Sequence, residues 1–318
     1  MFKYLFMSLF AAFIITPAFA GVHSEVPTAK VSSKSVKSYM KSAENGDKVA
    51  QFQLGECYRE GLGVKKDEKK AFTYYKKSAD QGYVPAMHAL SVCYLYGVGC
   101  NRNIEQALWY GEAAANQNYI KSVRGMAVAY SGVGPVDVPI DLVKAEKYAR
   151  LGSELKDPLS MYCLAKVLML KPDSSEADKK ESLMLLQSSA ENGCGEAALT
   201  LAKLYLERGP LPQDYAVAIK WLKKADAVGM AEASYLLAYC SFNNIGMEYD
   251  DIVIFSYIEK SAKAGYAPAQ LSLAKVYAEG NDQVKKSYKK ARFWLDKAIE
   301  QGLEEAIEYS KELETLRK

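Results

Sequence analysis

Histidine is scarce in this sequence, which has two histidines among 318 residues. His23 lies close to the N-terminus, so His88 is the one available to the folded part of the chain. No serine or cysteine motif accompanies His88, and no His-x-x-x-His or Cys-x-x-Cys pair occurs anywhere in the sequence. Because hydrolytic triads use a histidine base and zinc sites use paired ligands of this kind, we predict no catalytic residue, no metal site and no cofactor.

An excess of charge of one sign is also missing. The chain has 41 lysines and arginines against 38 aspartates and glutamates, for a net charge of +3. The densest basic run, residues 65–70, is interrupted by Asp67 and Glu68, as is typical of a solvated surface. Nucleic-acid binding normally needs a concentrated basic surface. We therefore predict no nucleic-acid partner.

Long hydrophobic runs are absent after residue 20. Before it, Lys3 is followed by an apolar run over residues 5–15 and by small residues at Ala18 and Ala20, which is the arrangement of a cleaved signal peptide. This run is shorter than the roughly 20 residues that a membrane-spanning helix needs, which disfavours the alternative of a membrane anchor. We predict a signal peptide over residues 1–20, a flexible leader over 21–34, and a periplasmic or secreted protein with no membrane span after cleavage.

A repeated pattern of small and apolar residues runs through the rest of the chain. Each repeat ends at a closing residue, and positions in a repeat are counted forward from the closing residue before it. Position 4 is small, position 8 is leucine or methionine, position 9 is always small, and position 12 is usually tyrosine. Positions 4, 8, 11 and 12 share one helical face, so they predict a first helix with a buried stripe. The closing residues are Gly46, Gly82, Asn118, Lys156, Gly193, Gly229, Gly265 and Gly302.

A second helix is predicted in each repeat by residues counted back from its closing residue. An aromatic residue lies eight residues before the closing residue in every repeat except one, where Leu185 replaces it, and a small residue lies four before. Large residues that meet small ones allow short helices to pack closely, and a closing glycine ends a helix in the left-handed conformation. The pattern predicts an all-α fold, a right-handed α/α solenoid of about seven helix-turn-helix repeats with capping helices.

The solenoid is predicted to extend over residues 35–318. An N-terminal cap is expected over residues 33–44 and a polar C-terminal cap over 303–318, with a helix at 304–317. The seven predicted repeats are residues 47–82, 83–118, 119–156, 157–193, 194–229, 230–265 and 266–302.

This repeat resembles the Sel-one-like repeat family, which is related to tetratricopeptide repeats, over residues 46–302. The first repeat carries the resemblance most clearly, with AQFQLG at residues 50–55, GLGV at 61–64 and a closing glycine. The turn between the two helices departs from this pattern in the fourth, fifth and sixth repeats, which have KP, GP and NN there. The turn conformation of those repeats therefore stays open.

The resemblance implies a non-catalytic adaptor or regulator that binds a protein or peptide, and we expect a monomer. A second implied possibility is the cell-wall-ligand or β-lactamase-like activity described for some members of the family. A Ser-x-x-Lys sequence does occur at residues 38–41, but neither Lys-Thr-Gly nor Ser-Asp-Asn accompanies it. The scaffold is therefore the leading interpretation.

Six cysteines raise the question of disulfides in an exported chain. Cys57, Cys93 and Cys240 occupy position 11 on the buried stripe, where cysteine acts as a small hydrophobic residue. Some family members staple their helix pairs with regularly spaced cysteines, and that spacing is missing here. We expect mostly free thiols, with Cys93 and Cys100 as the best remaining pair.

Positions 3, 6, 10 and 13 lie opposite the buried stripe of the first helix, and tetratricopeptide-like stacking implies that they line a concave groove. Aromatic residues are mixed with lysine, arginine and histidine at these positions, a combination that suits protein or peptide recognition. At position 6, an equally open alternative is that Phe52, Tyr162 and Tyr235 pack partly in the core. The candidate groove residues are Phe52, His88, Arg124, Tyr162, Lys166, Lys203, Tyr235, Tyr239, Phe242 and Lys275.

Overall fold

The computed structural model describes residues 33–133, 137–207, 212–281 and 284–315, so the predicted signal peptide lies outside the described residues. All the regular secondary structure in these ranges is helical, in agreement with the predicted all-α class. The helices are α1 (Ser33–Glu44), α2 (Lys48–Glu60), α3 (Glu68–Ala79), α4 (Val84–Tyr96), α5 (Ile104–Ala115), α6 (Ile120–Ser131), α7 (Leu142–Glu154), α8 (Pro158–Leu170), α9 (Glu176–Glu191), α10 (Gly195–Leu206), α11 (Tyr215–Ala227), α12 (Ala231–Phe242), α13 (Asp251–Lys263), α14 (Ala267–Glu279), α15 (Tyr288–Glu300) and α16 (Glu304–Thr315).

The chain divides into two compact units, with the boundary between Leu185 and Leu186 inside α9. In the first unit, the pairs α2–α3, α4–α5 and α6–α7 each pack together, and the second helix of each pair packs on the first helix of the next. The second unit repeats this arrangement with α10–α11, α12–α13 and α14–α15. The end helices α1 and α16 pack on α2 and α15, respectively.

Capping residues explain where the helices begin. Most second helices start after an aspartate, asparagine or serine. The side chain of this residue accepts a hydrogen bond from a backbone N–H of the first turn. Asp67 caps α3 in this way, and Asn103 caps α5. The closing residues take left-handed conformations, including the non-glycine residues Asn118 and Lys156, both with φ of 59°. Each second helix ends two or three residues before its closing residue, and the left-handed conformation follows the helix there.

The turns between the paired helices differ among the repeats. Gly61 and Gly97 end α2 and α4 in the left-handed conformation. Lys171 ends α8 with a ψ of 132°, and Glu207 ends α10 in an extended conformation. In the sixth repeat the positive φ of 55° occurs at Asn244. The departures noted in the sequence thus change the turn and leave the helices in place.

The predicted buried stripe forms the core. Leu54, Leu90 and Leu237, all at position 8, are fully buried. The paired helices approach each other closely at position 9. A Cβ on Gly55 would lie only 2.6 Å from the Tyr75 ring. At this position a large ring packs against the smallest residue of the facing helix.

In the first three repeats, the aromatic residue eight before the closing residue stacks on the tyrosine at position 12 of its own repeat. Ring centroids are 5.7 Å apart for Tyr58 and Tyr74, and 5.9 Å apart for Tyr94 and Tyr110. Lys70 lies over the Tyr58 ring, with its Nζ 5.2 Å from the ring centroid. Stacked rings and cation–π contacts thus join the two helices of a repeat at one edge.

All six cysteines have free thiols. Cys100 Sγ lies 3.5 Å from the carbonyl oxygen of Cys93, so the two residues predicted to be the best remaining pair are neighbours. Burial raises the pKa of Cys93 to about 12 and the pKa of Cys240 to about 12. Because the thiolate is the reactive form, these two thiols are poor nucleophiles at neutral pH.

Candidate interaction surface

Position 6 of the first helix contacts position 1 of the following repeat. Ring centroids lie 5.5 Å apart for Phe52 and Tyr83, and 5.4 Å apart for His88 and Tyr119. Phe52 also lies 5.8 Å from the Tyr75 ring of its own repeat. Both Phe52 and His88 are half-buried. The predicted groove residues at position 6 therefore help to hold successive repeats together.

Arg124, also at position 6, contacts position 1 of the following repeat through an ion pair. Its Nε donates a hydrogen bond of 2.9 Å to Asp157 Oδ1, and its Nη2 donates to the same oxygen. Asp157 is buried and also caps α8, because its other oxygen accepts from the backbone N–H of Ser160 at 2.9 Å. The Arg124 side chain is 46% exposed, so it stays partly open to solvent beside this ion pair.

Tyr235 repeats the contact in the second compact unit. Its ring centroid lies 5.4 Å from that of Tyr266, and its hydroxyl lies 3.1 Å from Ser272 Oγ. Burial raises the pKa of Tyr235 to about 12. This tyrosine therefore packs between two consecutive repeats.

Two of the ten candidate groove residues are not available to a partner. Tyr162 and Tyr235 are only 8% and 4% exposed, respectively. The prediction that they line an open groove is wrong, and the alternative that they pack in the core is correct. The reason is geometric, because a side chain at position 6 lies over the start of the next repeat. Lys166, one turn after Tyr162 on α8, is half-buried.

His88 is held neutral by its surroundings. Its Nδ1 lies 2.9 Å from Ser122 Oγ in the following repeat. Burial lowers the pKa of His88 to about 4, and the positive charge of Lys121 contributes in the same direction. A protonated ring would be poorly solvated at this site. The histidine is therefore a neutral packing residue at physiological pH.

This depressed pKa predicts a pH-dependent stability. An unfolded histidine titrates near pH 6.5, so between pH 7 and pH 5 the unfolded chain gains a proton at His88 that the folded chain does not. The free energy of unfolding should fall by about 2 kcal/mol over this range because of His88. Urea denaturation at both pH values should show a smaller fall for His88→Gln, and an equal fall in both proteins would contradict the assignment.

Position 10 gives a row of polar and aromatic side chains in the second compact unit. Lys203, Tyr239 and Lys275 hold this position in three consecutive repeats, on α10, α12 and α14, and all three are half-buried. Lys203 Nζ forms a 2.6 Å ion pair with Glu232. Lys275 Nζ lies 5.2 Å from the centroid of the Tyr309 ring. Burial lowers the pKa of Lys275 below its usual range, although nearby glutamates oppose this.

Phe242 lies one turn after Tyr239, and it is partly a core residue. It packs against a buried cluster that includes Ile254 and Leu273. Its ring centroid also lies 6.1 Å from that of Tyr249. A substitution of Phe242 would therefore change the stability of the protein as well as any partner binding.

Glu56 is a buried charged residue that the sequence analysis missed. It holds position 10 of the first repeat and is 5% exposed. Its carboxylate accepts a hydrogen bond of 2.5 Å from the Tyr75 hydroxyl and pairs with Arg59 at 2.8 Å. Burial, followed by the negative charge of Glu56, raises the pKa of Tyr75 well above its usual range. The sequence feature that could have indicated this ion pair is the Glu-x-x-Arg spacing at positions 10 and 13.

A metal site and a membrane-spanning helix are both absent from the described residues. They contain no group of three or more histidine, cysteine, aspartate or glutamate side chains that could hold a metal ion. None of their helices is long and apolar enough to cross a membrane. An open surface cavity of about 540 Å³ lies between Lys66–Lys69 and Gly97–Asn101, and none of the ten predicted groove residues lines it.

Comparison with known families identifies the family of the repeat. The family model described as "Sel1 repeat" matches residues 48–83, 84–119, 125–157, 158–194, 195–225, 231–266 and 267–303. The chain belongs to the Sel1 repeat family. Sel1 repeat proteins are generally protein-interaction scaffolds without catalytic activity, as the resemblance seen in the sequence implies.

Individual Sel1 repeat proteins resemble the chain over different lengths. The Sel1-repeat-containing protein YjcO of Escherichia coli K12 is 25% identical over 176 residues, which are 53% of this chain and 75% of YjcO. A Sel1 repeat protein from Oxalobacter formigenes has a TM-score of 0.70 and 27% identity, over 88% of this chain and 80% of that one. The protective antigen c5321 of uropathogenic Escherichia coli has a TM-score of 0.67 and 24% identity, over 85% of this chain and 57% of c5321. These structures agree with the predicted solenoid fold.

Proposed function

We propose that this chain is a non-catalytic adaptor or regulator that binds a protein or peptide along position 10 of α10, α12 and α14. The observation that carries the proposal is the row of Lys203, Tyr239 and Lys275, in which an aromatic side chain stands between two basic ones. Consecutive repeats present equivalent positions side by side, so the row forms one surface on rigid helices. Aromatic anchors flanked by basic residues suit recognition of a polypeptide.

The electrostatics of the row indicate which chemical groups the partner carries. Burial disfavours the charged form of Lys275, and its Nζ faces the Tyr309 ring. A carboxylate from the partner would stabilise this ammonium group and raise its pKa. Lys203 is already paired with Glu232, so it offers a weaker attraction. The proposed ligand is therefore a segment with an acidic residue close to an aromatic or aliphatic one.

The proposed location is the periplasm or the medium outside the cell. Its support is the N-terminal sequence, in which a short apolar run is followed by alanines at positions 18 and 20. Mass spectrometry of protein recovered from the periplasmic fraction should give a chain that starts at Gly21. A chain that retains Met1 would contradict export by signal cleavage.

Replacing Tyr239 with alanine should weaken partner binding with little effect on folding. The side chain is half-buried on the proposed surface, and removing such an anchor costs about 2 kcal/mol or more of binding free energy, or roughly thirtyfold in affinity. Binding of the purified partner is measured by titration calorimetry, and stability by urea denaturation.

Phe293→Ala is the matched control, because Phe293 is 54% exposed on the second helix α15. It removes an aromatic side chain outside the proposed surface, so the affinity should stay unchanged. If Phe293→Ala lowers the affinity and Tyr239→Ala does not, the binding surface lies on the second helices. If Tyr239→Ala unfolds the protein, the tyrosine is a core residue and the proposed surface is incorrect.

A further inference from the structure

The two end helices of the chain are the two halves of one repeat. α16 follows the last closing residue, Gly302, and therefore holds the place of a first helix, and no second helix follows it within the described residues. α1 precedes the first closing residue, Gly46, and holds the place of a second helix, and no first helix precedes it within the described residues. In the internal repeats, one side of each helix packs against the other helix of the same repeat. On α1 and α16, this side has no such helix within the described residues.

The first repeat shows which positions form this contact. Ser78 Oγ donates a 2.6 Å hydrogen bond to the carbonyl oxygen of Lys48 at position 2. Gln81 Nε2 donates a 2.7 Å hydrogen bond to Gln51 Oε1 at position 5. Position 9 packs under the second helix, and position 12 carries the stacked tyrosine. Positions 2, 5, 9 and 12 of a first helix therefore face its second helix.

On α16 these four positions are all exposed. They are Glu304, Ile307, Lys311 and Glu314. Ile307 is an apolar side chain with 42% of its surface in solvent. The side of α16 that would face a second helix is therefore uncovered within the described part of the chain, and it combines acidic residues with one apolar residue.

On α1 the corresponding side keeps features of a second helix. Ser42 lies four residues before the closing residue, as do Ser78 and Ser261, which donate to the carbonyl oxygens of Lys48 and Ala231 at 2.6 Å each. Tyr39 holds the place of Tyr75, and it is half-buried. A first helix placed on this side would thus find the groups that internal repeats use.

The two end helices carry opposite charge. The sequence of α1 has three lysines and one glutamate, for a net charge of +2. The sequence of α16 has five glutamates and one lysine, for a net charge of −4. Lys37 and Lys41 are exposed on α1, and Glu304 and Glu308 are exposed on α16. A solubilising cap needs only polar residues, so opposite signs at the two ends favour attraction between the ends.

We propose that α16 of one molecule pairs with α1 of a second copy of this chain, so that the two helices complete a repeat across the two molecules. The contact is heterologous, since each molecule uses a different surface, and a molecule bound at one end keeps the other end available. One helix pair is smaller than a standard interface, so the association is weak and reversible. This inference is independent of the proposed partner surface, and it replaces the expectation of a monomer.

Sedimentation velocity of the purified protein over a concentration series tests the proposal. At low salt the weight-average sedimentation coefficient should rise with concentration, and this rise should disappear at high salt because the attraction is largely between exposed charges. The variant Lys37→Glu/Lys41→Glu and the variant Glu304→Lys/Glu308→Lys should each associate about tenfold or more weakly than the unmodified chain. Circular dichroism should show unchanged helicity in both variants.

Mixing the two variants is the decisive arm of the experiment. In the first variant both end helices are acidic, with net charges of −2 on α1 and −4 on α16, and in the second variant α16 has a net charge of 0. The mixture offers the unmodified α16 of the first variant to the unmodified α1 of the second, so mixing should restore concentration-dependent association. Lys220→Glu/Lys223→Glu is the matched control, because both lysines are exposed on α11 and the charge change is the same. The proposal is overturned if the unmodified chain remains a monomer at low salt, if mixing restores nothing, or if the control variant is affected equally.

Discussion

Replacing Gly99 with alanine is expected to lower the free energy of unfolding by about 3 to 5 kcal/mol. Gly99 lies in the turn between α4 and α5 with a φ of +72°, which an alanine adopts only with strain. A Cβ at this residue would also lie 2.1 Å from the carbonyl oxygen of Glu68 in the preceding repeat. Because that oxygen belongs to the backbone of α3, the clash is relieved only if the two repeats move apart.

Gly82→Ala separates the two causes. Gly82 has a similar φ of +77°, but a Cβ there would meet nothing within 4 Å. Its replacement should cost only the strain of the left-handed conformation, about 1 to 2 kcal/mol. Urea denaturation of both variants measures the difference. Equal losses would mean that the close approach of Gly99 to the preceding repeat does not contribute to stability.

Leu90→Ala is expected to lower the free energy of unfolding by about 2 to 5 kcal/mol. Leu90 is fully buried at position 8 of α4, where its neighbours include Tyr75 and Tyr110 of the same buried cluster. The loss combines the transfer of fewer apolar atoms from water with the cavity that remains. Chemical denaturation gives the total effect.

The same substitution tests whether the repeats respond locally. In a repeat array each unit contacts mainly its neighbours, so hydrogen exchange should increase most in the repeats next to Leu90. Val143→Ala is the control, because Val143 is 81% exposed in the same compact unit and should change stability by less than about 0.5 kcal/mol. A uniform loss of protection from α2 to α15 would contradict the local response.

Most of the helical architecture could be predicted because it depends on residue spacing. Residues that recur at positions 4, 8, 11 and 12 must share a face, whatever the conformation of the turns. The helix predicted at residues 33–44 is present as α1, and the one predicted at 304–317 is described as α16 up to Thr315. The turns after α8 and α10 could not be predicted, because Lys171 and Glu207 end these helices without a left-handed residue.

The candidate surface was harder to predict than the fold. Helical spacing places Tyr235 and Tyr239 on the same side of α12, yet Tyr235 is buried and Tyr239 is half-buried. The difference arises from Tyr266 at the start of the next repeat, which covers Tyr235. Exposure at position 6 is therefore decided by contact with another repeat, and the spacing within one helix carries no information about it.

Site-specific photo-crosslinking in intact cells of the source organism tests the central claim most directly. A photoreactive phenylalanine analogue replaces Tyr239 on α12 in one variant and Phe293 on α15 in another. The account predicts a discrete protein adduct from residue 239, suppression of that adduct by Lys275→Glu, and no adduct from residue 293. An adduct from residue 293 together with none from residue 239 would contradict it.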